Sequence, residues 1–314
     1  MMKNETDNIN KIKAPLVSIA IPCFKTAYLK QAILSVIQQT YSHWELIIIN
    51  DASPEDIDGI VNSFQDSRIR YYINQTNLGK ENPAHNWNRC LELAQGEFFA
   101  LLCDDDLYAP TFIEEMLDLA NHYPSCGTFR TRAIIIDAQG KEIDKYSSAP
   151  EWESWEDYLW HVVRNYRHQT ISEWMFRTDT IRKAGGYALL PLAWYADYLS
   201  IFRIAKEGGI ASSPKILAYF RQSGKNISSQ DSKNTEAKII ASLKYREEIK
   251  QLLANSPDKE DLLLRLDGLL RMHTRYHLSK AKKSALFRLL IKKGEYHLHI
   301  NWLWKAFWHH NHNN

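Results

Sequence analysis

Between Leu16 and Pro124 the sequence alternates short apolar runs with longer amphipathic stretches, and this alternation constrains the fold more than any other feature. The apolar runs are rich in β-branched residues, as in LVSIAIP and WELIIIN, whereas the stretches between them carry apolar residues at helical spacing, as in YLKQAILSVIQQTY. Such runs are typical of buried parallel strands joined by crossover helices. The sequence therefore predicts an α/β fold with a mostly parallel central sheet flanked by helices.

The composition fits a globular protein and excludes several other classes. With 314 residues, 45% of them hydrophobic, the chain can bury a sizeable core. Its 39 Lys and Arg residues nearly balance its 37 Asp and Glu residues, so we predict no nucleic-acid partner. The N-terminus has no apolar signal region, no run is long enough to span a membrane, and the four cysteines form no CxxC pair. These features predict a cytoplasmic location.

Changes of pattern divide the chain into regions. After Cys126 the sequence predicts a hairpin over GTFRTRAIIIDAQGKEI, a strand at TISEWMF and a helix that begins at Thr178, and from about Thr235 the period is helical. The polar stretch RQSGKNISSQDSKN is rich in turn formers and is a candidate lid. The predicted regions are a disordered N-terminal segment (1–14), a main domain (15–230) with two halves (15–125 and 126–230), and a C-terminal helical region (231–314).

The residues just after each apolar run form the candidate site, because ligands of such sheets bind beyond the carboxyl ends of the strands. These residues are Pro22–Lys25, Asn50–Ser53, Asn74–Lys80 and Cys103–Asp106. Pro22 and Lys80 are candidate substrate contacts on this ground. Asp51 would accept a hydrogen bond from a base or ribose; the alternative is that Asp51 and Ser53 form a turn and an N-cap for the helix after Pro54.

The run FFALLCDDDLYAP leads an apolar strand directly into three carboxylates, Asp104, Asp105 and Asp106. Like charges at the end of a buried strand repel one another, and a bound cation would lower that cost. Hard divalent ions such as Mg²⁺ and Mn²⁺ take oxygen ligands, commonly one or two carboxylates together with substrate phosphates. The run therefore predicts a metal-diphosphate site, and its alternative is a solvated acidic turn before a helix that begins at Pro110.

Five motifs occur in order over roughly Val17–Ser228: VSIAIPCFK, SVIQQTYSHWELIIINDASPED, NLG followed by AHN, GEFFALLCDDDLYAP, and AGGY. In sequence and spacing they resemble the family-2 glycosyltransferases with the GT-A fold. The resemblance implies an inverting enzyme that moves a sugar from a nucleotide-diphospho-sugar, a UDP-sugar, to a glycan or lipid-linked acceptor in bacterial surface polysaccharide synthesis. The alternative is an inactive GT-A protein that serves as a binding or scaffolding member of an assembly complex.

The resemblance also implies roles for individual residues. Phe24 would lie against the nucleotide base, Asp51 would bind the base, and Asp104 would lie near the donor ribose. Asp105 would hold the divalent metal, Mn²⁺ or Mg²⁺. The first half (15–125) becomes the nucleotide-binding half and the second (126–230) the acceptor half.

The sequence departs from the family pattern at several positions. Cys103 stands where the family has the first Asp of its metal motif, so Asp106 is expected to share the metal. His85 replaces a frequent Arg. Arg221 is retained near the end of the domain, either as a phosphate contact or as an ordinary surface cation, whereas Ser223 replaces a frequent His.

The catalytic base of the family is an Asp or Glu at the start of the helix that precedes an L..R....G pattern, and Asp197 in AWYADYLSIFRIAKEGG matches it. Taken alone, Asp197 could equally be a helix N-terminal carboxylate favoured by the helix dipole. Glu173 is the next candidate base.

The C-terminal stretch LFRLLIKKGEYHLHINWLWKAFWHHNHNN interleaves aromatic and basic residues. It is either a helix packed on the core of the protein or an interfacial helix on anionic lipid, which would place the protein at the inner face of the membrane. The terminal His309, His310 and His312 have no acidic or Cys neighbours and are interpreted as a disordered tail.

Overall fold

The structure is a computed structural model that describes residues 14–224, 234–280 and 283–291. The N-terminal residues 1–13, most of the candidate lid and the terminal histidines lie outside these described residues.

The first half of the chain folds as its periodicity predicts. Strands and helices alternate in the order β1 (Val17–Cys23), α1 (Leu29–Ile37), β2 (Trp44–Asn50), α2 (Ile57–Asn62), β3 (Ile69–Ile73), α3 (Ala84–Leu93) and β4 (Phe98–Leu101). Strand β1 pairs in parallel with both β2 and β4, and β2 pairs in parallel with β3. Every residue of β2 and β4 is buried, because helices cover both faces of the sheet.

The second half extends the same sheet with mixed pairing. Its elements are β5 (Leu107–Tyr108), α4 (Phe112–His122), β6 (Thr128–Ile136), β7 (Glu142–Lys145), β8 (Trp152–Glu153), α5 (Trp155–Val163), a short 3-10 helix (Ile171–Glu173), β9 (Trp174–Arg177), α6 (Thr178–Lys183), a second 3-10 turn (Pro191–Ala193), α7 (Ala196–Ala205) and β10 (Ile210–Arg221). The strand order is β3-β2-β1-β4-β9-β6-β10-β5. Strand β9 runs antiparallel between β4 and β6 and so joins the two halves.

The described part of the C-terminal region is helical, as predicted, with α8 (Thr235–Leu252), α9 (Lys259–Lys280) and α10 (Lys283–Ile291). Tyr245 of α8 and Leu266 of α9 are buried in the same apolar cluster as Phe202 of α7. The helices α8 and α9 therefore belong to the core of the protein. Among the described helices, none is long and apolar enough to cross a membrane.

Two apolar clusters fill the two faces of the sheet. Strand β1 shows the alternation that produces them, since Ala20 lies in one cluster and Ile19 and Ile21 lie in the other. The first cluster holds residues of α3, α5, α7, α8 and α9, and the second holds residues of α1, α2 and α4. Helix α7, which carries Asp197, therefore packs on the same face as the C-terminal helices.

Candidate active site

The carboxyl ends of β1, β2 and β4 meet at one edge of the sheet, where the predicted site residues follow them. The Asp51 N–H donates to the Cys23 carbonyl at 2.9 Å, and the Leu102 N–H donates to the Ala20 carbonyl at 2.9 Å. These bonds continue the parallel ladders past the strand ends. The loops after the three strands are therefore neighbours, as the sequence predicts.

Asp104 ties the loop after β4 to the loop after β1. Its Oδ2 accepts hydrogen bonds from the backbone N–H groups of Phe24 at 2.9 Å and Lys25 at 3.0 Å. Burial raises the pKa of Asp104, and these two bonds act in the opposite direction. The loop that follows half-buried Pro22 is fixed in this way, with the Phe24 ring 38% exposed at the edge of the sheet.

Asp106 is fully buried and anchors the loop Cys103–Asp106, the acidic loop, to the interior of the protein. Its Oδ2 accepts a 2.6 Å hydrogen bond from the Ser172 hydroxyl, and its Oδ1 accepts a 2.9 Å bond from the Arg221 N–H. Burial, and then the charge of Asp105, raise the pKa of Asp106. This environment argues against the expectation that Asp106 shares the metal, because both oxygens already serve groups inside the protein.

Arg221 holds the acidic loop from the other side. The residue is only 2% exposed, and its guanidinium donates to the Asp105 carbonyl at 2.9 Å, to the Asp137 carbonyl at 3.1 Å and to Gln31 Oε1 at 2.9 Å. The guanidinium also lies 4.3 Å from the centre of the Tyr28 ring. Arg221 is thus not the surface cation considered from the sequence, because its guanidinium is buried and supports the loop; its contact with a phosphate stays a prediction.

Asp105 lies between these two anchored neighbours and is half-buried. Burial, and then the charge of Asp104, raise the pKa of Asp105 to about 6, while Lys25 and Arg221 act in the opposite direction. A carboxylate whose ionised form is this unfavourable gains from a nearby cation. Of the three carboxylates, Asp105 is the one whose surroundings best fit a metal ligand.

The ligand set at this loop suits a hard divalent ion only if the substrate adds ligands. The described residues contain no group of three His, Cys, Asp or Glu side chains that could hold a metal. Burial raises the pKa of the Cys103 thiol well above its usual value, so this side chain is a neutral thiol and a poor ligand. One or two carboxylates completed by phosphate oxygens is a common arrangement for Mg²⁺, and the loop fits it.

Asp51 organises the loop that follows β3. Its carboxylate accepts hydrogen bonds from Asn74 Nδ2 at 2.6 Å and from the backbone N–H groups of Leu78 at 2.8 Å and Gly79 at 2.7 Å. A Cβ at Gly79 would lie 2.9 Å from Asp51 Oδ2, so a larger residue at this position would require Asp51 or the loop to shift. Lys80 follows directly and is exposed.

The alternative in which Ser53 caps the next helix is wrong. Helix α2 begins at Ile57, and Asp56 caps it by accepting a 2.8 Å bond from the Gly59 N–H. The Ser53 N–H instead donates to Asn50 Oδ1 at 2.9 Å, and its hydroxyl donates to the Phe24 carbonyl at 2.7 Å. Ser53 therefore links the loops after β1 and β2 at the edge of the sheet.

Asp197 occupies the first turn of α7, as the sequence predicts. Burial raises its pKa, and the Gln169 side chain and the Tyr198 N–H act in the opposite direction. The Gln169 Oε1 accepts a 2.5 Å bond from the Tyr158 hydroxyl. The pKa of the Tyr146 hydroxyl is raised by burial and then by the charges of Glu173, Asp106 and Asp197.

Glu173, the second candidate base, is buried in a structural ion pair. Its Oε1 accepts a 2.5 Å bond from Arg130 Nε, and its Oε2 accepts a 3.2 Å bond from the Thr170 N–H. Burial raises the pKa of Glu173 to about 7 against the opposing effect of Arg130. With neither side chain more than 3% exposed, Glu173 has no path to an acceptor.

The 3-10 helix Ile171–Glu173 supports the site, a role that no sequence pattern predicted. Ser172 bonds Asp106 and also accepts a 3.1 Å bond from the Cys103 N–H, and the adjacent Glu173 pairs with Arg130. The Thr170 to Glu173 capping box is a local signal that could have located this turn. No comparable sequence signal indicates its contacts with Asp106, Cys103 and Arg130, which are distant in the sequence.

Comparison with known proteins agrees with this geometry. The model of the family described as "Glycosyl transferase family 2" matches residues 18–175, half of the chain. The chain belongs to this family. Two curated relatives are a putative teichuronic acid biosynthesis glycosyltransferase, TuaG, of Bacillus subtilis (30% identical, 48% of this chain, 59% of the relative) and a GalNAc(5)-diNAcBac-PP-undecaprenol beta-1,3-glucosyltransferase of Campylobacter jejuni (34%, 42% and 45%). The chain thus spans about half the length of these two relatives.

Solved structures share the fold over most of the chain. S. aureus TarS 1–349 in complex with UDP-GlcNAc has a TM-score of 0.63 and 15% identity, over 88% of this chain and 77% of that TarS 1–349 chain. The mannosyltransferase PcManGT from Pyrobaculum calidifontis, in complex with GDP-Man and Mn²⁺, has a TM-score of 0.55 and 14% identity, over 93% of this chain and 84% of that chain. The expected GT-A architecture, with added C-terminal helices, is confirmed.

Proposed function

We propose that the protein is an inverting, metal-dependent glycosyltransferase that moves a sugar from a UDP-sugar to a hydroxyl of a glycan or lipid-linked acceptor. One observation carries the proposal: the hydrogen bonds of Asp104 and Asp106 hold the loop that carries Asp105 at the edge where β1, β2 and β4 end. Such a transfer requires a metal-binding carboxylate and a proton acceptor. Membership of glycosyl transferase family 2 supports the assignment.

The donor would bind at the edge formed by β1, β2 and β4. The exposed Phe24 ring offers a surface for the base, and Asp51 offers carboxylate oxygens that already order the loop to Gly79. Pro22 and Lys80 border the same edge, and Asp104 fixes the backbone beside the ribose position. UDP as the nucleotide is supported by a solved neighbour whose structure contains UDP-GlcNAc.

Asp105 would hold Mn²⁺ or Mg²⁺ together with the donor diphosphate. A divalent ion held there would neutralise charge that develops on the departing diphosphate. The contribution of the chain itself is positional, because Asp104, Asp106 and Arg221 hold the loop that carries Asp105 through five hydrogen bonds described above. A loop fixed in this way loses little freedom on binding.

Asp197 would be the general base. It takes the proton of the acceptor hydroxyl while the acceptor oxygen forms its bond to the anomeric carbon and the bond from that carbon to the diphosphate breaks. Attack from the face opposite the diphosphate inverts the anomeric centre. Burial raises the pKa of Asp197, which strengthens it as a base at neutral pH.

The acceptor and the location are proposed on similar grounds. Two relatives have names that refer to teichuronic acid and to an undecaprenol-linked glycan, which supports bacterial surface polysaccharide synthesis at the cytoplasmic face of the membrane.

The outer face of α9 exposes Met272 at 55% and Tyr276 at 44%, and α10 exposes Phe287 at 59%. Between Gly268 and Gly294 the sequence has eight Lys or Arg residues and no Asp or Glu. This combination fits peripheral contact with anionic lipid.

Hydrolysis of UDP-glucose, UDP-galactose, UDP-GlcNAc and UDP-GalNAc, measured with Mn²⁺ and with EDTA, tests the proposal. We expect release of UDP from at least one donor that requires the metal and is lost in Asp197→Asn. Asp144→Asn changes an exposed carboxylate on β7 and is the matched control. A chain that neither binds nor hydrolyses any of these or the corresponding GDP-sugars would be the inactive scaffold instead.

A further inference from the structure

The four residues before α7 form a strained segment, Leu192–Tyr195. Leu192, Ala193 and Tyr195 have φ values of 60°, 52° and 64°, in the left-handed region that L-residues with a Cβ avoid. None of them is glycine, although glycine would adopt this backbone without strain. Tyr195 is the N-cap residue of α7 and lies two positions before Asp197. Such backbone persists only where the surroundings determine it fully.

The C-terminal helices provide those surroundings through Tyr195. Its ring stacks on Tyr245 of α8, with centroids 4.8 Å apart and an angle of 13° between the planes. On α9, the His273 ring is nearly parallel to it at 6.1 Å, and the Tyr195 hydroxyl forms a short hydrogen bond with His273 Nδ1. One residue of the strained segment is therefore held by two helices that follow it by 50 to 80 positions.

Trp194 is held by the same two helices. Its ring lies 4.2 Å from Lys238 Nζ of α8 and 5.4 Å from the His277 ring of α9. His273 and His277 are one helical turn apart, so a single face of α9 contacts both aromatic residues. The segment is thus fixed from one side by four side chains of the C-terminal helices.

The other end of the segment touches the loop that follows β3, which we call the donor loop because it carries Gly79 and Lys80. The Leu192 N–H donates to the Glu81 carbonyl at 3.2 Å, and Glu81 follows the Gly79-Lys80 stretch that Asp51 orders. The strained segment therefore connects the donor loop to the first turn of α7. A change in its backbone would move Asp197 directly, because the Tyr195 carbonyl accepts the first hydrogen bond of that helix from Leu199 at 3.0 Å.

We propose that His273 and Tyr195 are positioning residues for Asp197, and that α8 and α9 are required for catalysis because they hold the strained segment in place. The inference rests on the proposed role of Asp197 as general base. It assigns no contact with substrate to His273.

The test compares His273→Ala with His273→Gln, which retains a hydrogen-bonding side chain toward Tyr195, and with Ser279→Ala, an exposed control on the same helix. The assay is hydrolysis of whichever of the four UDP-sugars named above the wild type cleaves fastest. Since misplacement by about 1 Å costs about 100-fold, we expect kcat to fall by about 10- to 100-fold in His273→Ala with KM and UDP affinity unchanged. His273→Gln should recover most of the loss.

Amide hydrogen exchange of the peptide that covers residues 189–199 gives a readout that needs no substrate. We expect faster exchange in His273→Ala than in wild type and Ser279→Ala. If His273→Ala does not fold, Tyr195→Phe replaces it, because this change removes the hydroxyl and keeps the stacked ring. Unchanged kcat and exchange would overturn the inference, and so would a parallel loss of kcat and UDP affinity. Normal turnover in Asp197→Asn would instead refute the general base itself.

Discussion

The acidic loop after β4 and the first turn of α7 each present a carboxylate of raised pKa, but the two regions are built differently. At the acidic loop, Asp104 and Asp106 bond mainly to backbone N–H groups of neighbouring loops and of β10. At α7, the backbone before Asp197 depends on side chains of α8 and α9. The first region is fixed mainly by backbone groups at the edge of the sheet, with help from the side chains of Ser172 and Arg221, and the second by packing of side chains from distant elements.

This difference predicts that the two regions fail differently when altered. Changes at the acidic loop should affect donor and metal binding while the rest of the protein stays intact. Changes around α7 should affect turnover, or the stability of the packing that places it. The 3-10 helix Ile171–Glu173 contacts the acidic loop through Ser172, and burial together with the charge of Asp197 on α7 raises the pKa of its Glu173.

The largest effect is expected for Asp197→Asn, which keeps the size of the side chain and removes the proton acceptor. Transfer should fall by about 10²- to 10⁴-fold, the contribution typical of a positioned base. Steady-state release of UDP measures it, with the exposed Asp144→Asn as control. Near-normal turnover would assign the base to another group, and the first turn of α7 would then have no catalytic role to set against the acidic loop.

The next effect is on stability, at the ion pair beneath α7. Arg130→Met leaves Glu173 buried without its partner, which should cost about 3–5 kcal/mol of unfolding free energy. The double variant Arg130→Met with Glu173→Gln should recover part of that loss. Chemical denaturation measures both, and Arg265→Ala, which breaks the exposed pair with Asp261, should cost at most about 1 kcal/mol. Equal costs for the buried and exposed pairs would contradict the structural role of Glu173.

A smaller effect is expected at the acidic loop, and it depends on pH. The pKa of Asp105 is raised from 3.8 to about 6 in the folded protein, so the folded state binds the proton more tightly than the unfolded chain. The contribution of Asp105 to the stability of the folded protein is therefore fully present below about pH 4. It is lost as the pH rises to about 6 and Asp105 ionises beside Asp104.

Asp105→Asn removes that ionisation. In EDTA it should be more stable than wild type by about 1 kcal/mol at pH 7.5, after allowance for the partial exposure of the group, and no more stable at pH 4. Thermal melting at both pH values decides the point. A variant that is less stable than wild type at pH 7.5 would show that the loop needs the charge for folding.

The smallest effect is expected at the surface of α9. Charge reversal by Arg271→Glu, combined with Met272→Ser, should weaken flotation with vesicles that contain phosphatidylglycerol by several-fold, since each basic residue contributes about 1 kcal/mol near an anionic surface. Turnover in solution should not change. Equal flotation of both proteins, or equal flotation with pure phosphatidylcholine vesicles, would show that this surface does not bind anionic lipid.

The sequence predicted the first region better than the second, for physical reasons. The strands and helices from Val17 to Leu101 follow local periodicity, and their carboxyl ends share an edge because parallel strands do. The roles of Arg221 and Asp106 depend on burial and on partners such as Gln31 and Ser172, 190 and 66 positions away. No local pattern encodes contacts at such separations.

The family pattern located Asp197, but not what supports it. Nothing in the sequence indicated the left-handed backbone at Tyr195, because this conformation is imposed by α8 and α9 against the preference of the residue. The stacked rings of Tyr245 and His273 lie in stretches whose period predicts only helix.

Calorimetric titration of UDP in the presence of Mn²⁺ into wild type, Asp105→Ala and Asp197→Asn tests most directly whether the two carboxylates have separate tasks. The account predicts that Asp105→Ala loses at least the roughly 10- to 100-fold that even outer-sphere metal contacts contribute, and that Asp197→Asn binds as wild type does. Without Mn²⁺, the affinities of all three proteins should be similar. Unchanged affinity in a folded Asp105→Ala, or an equal loss in Asp197→Asn, would contradict the account.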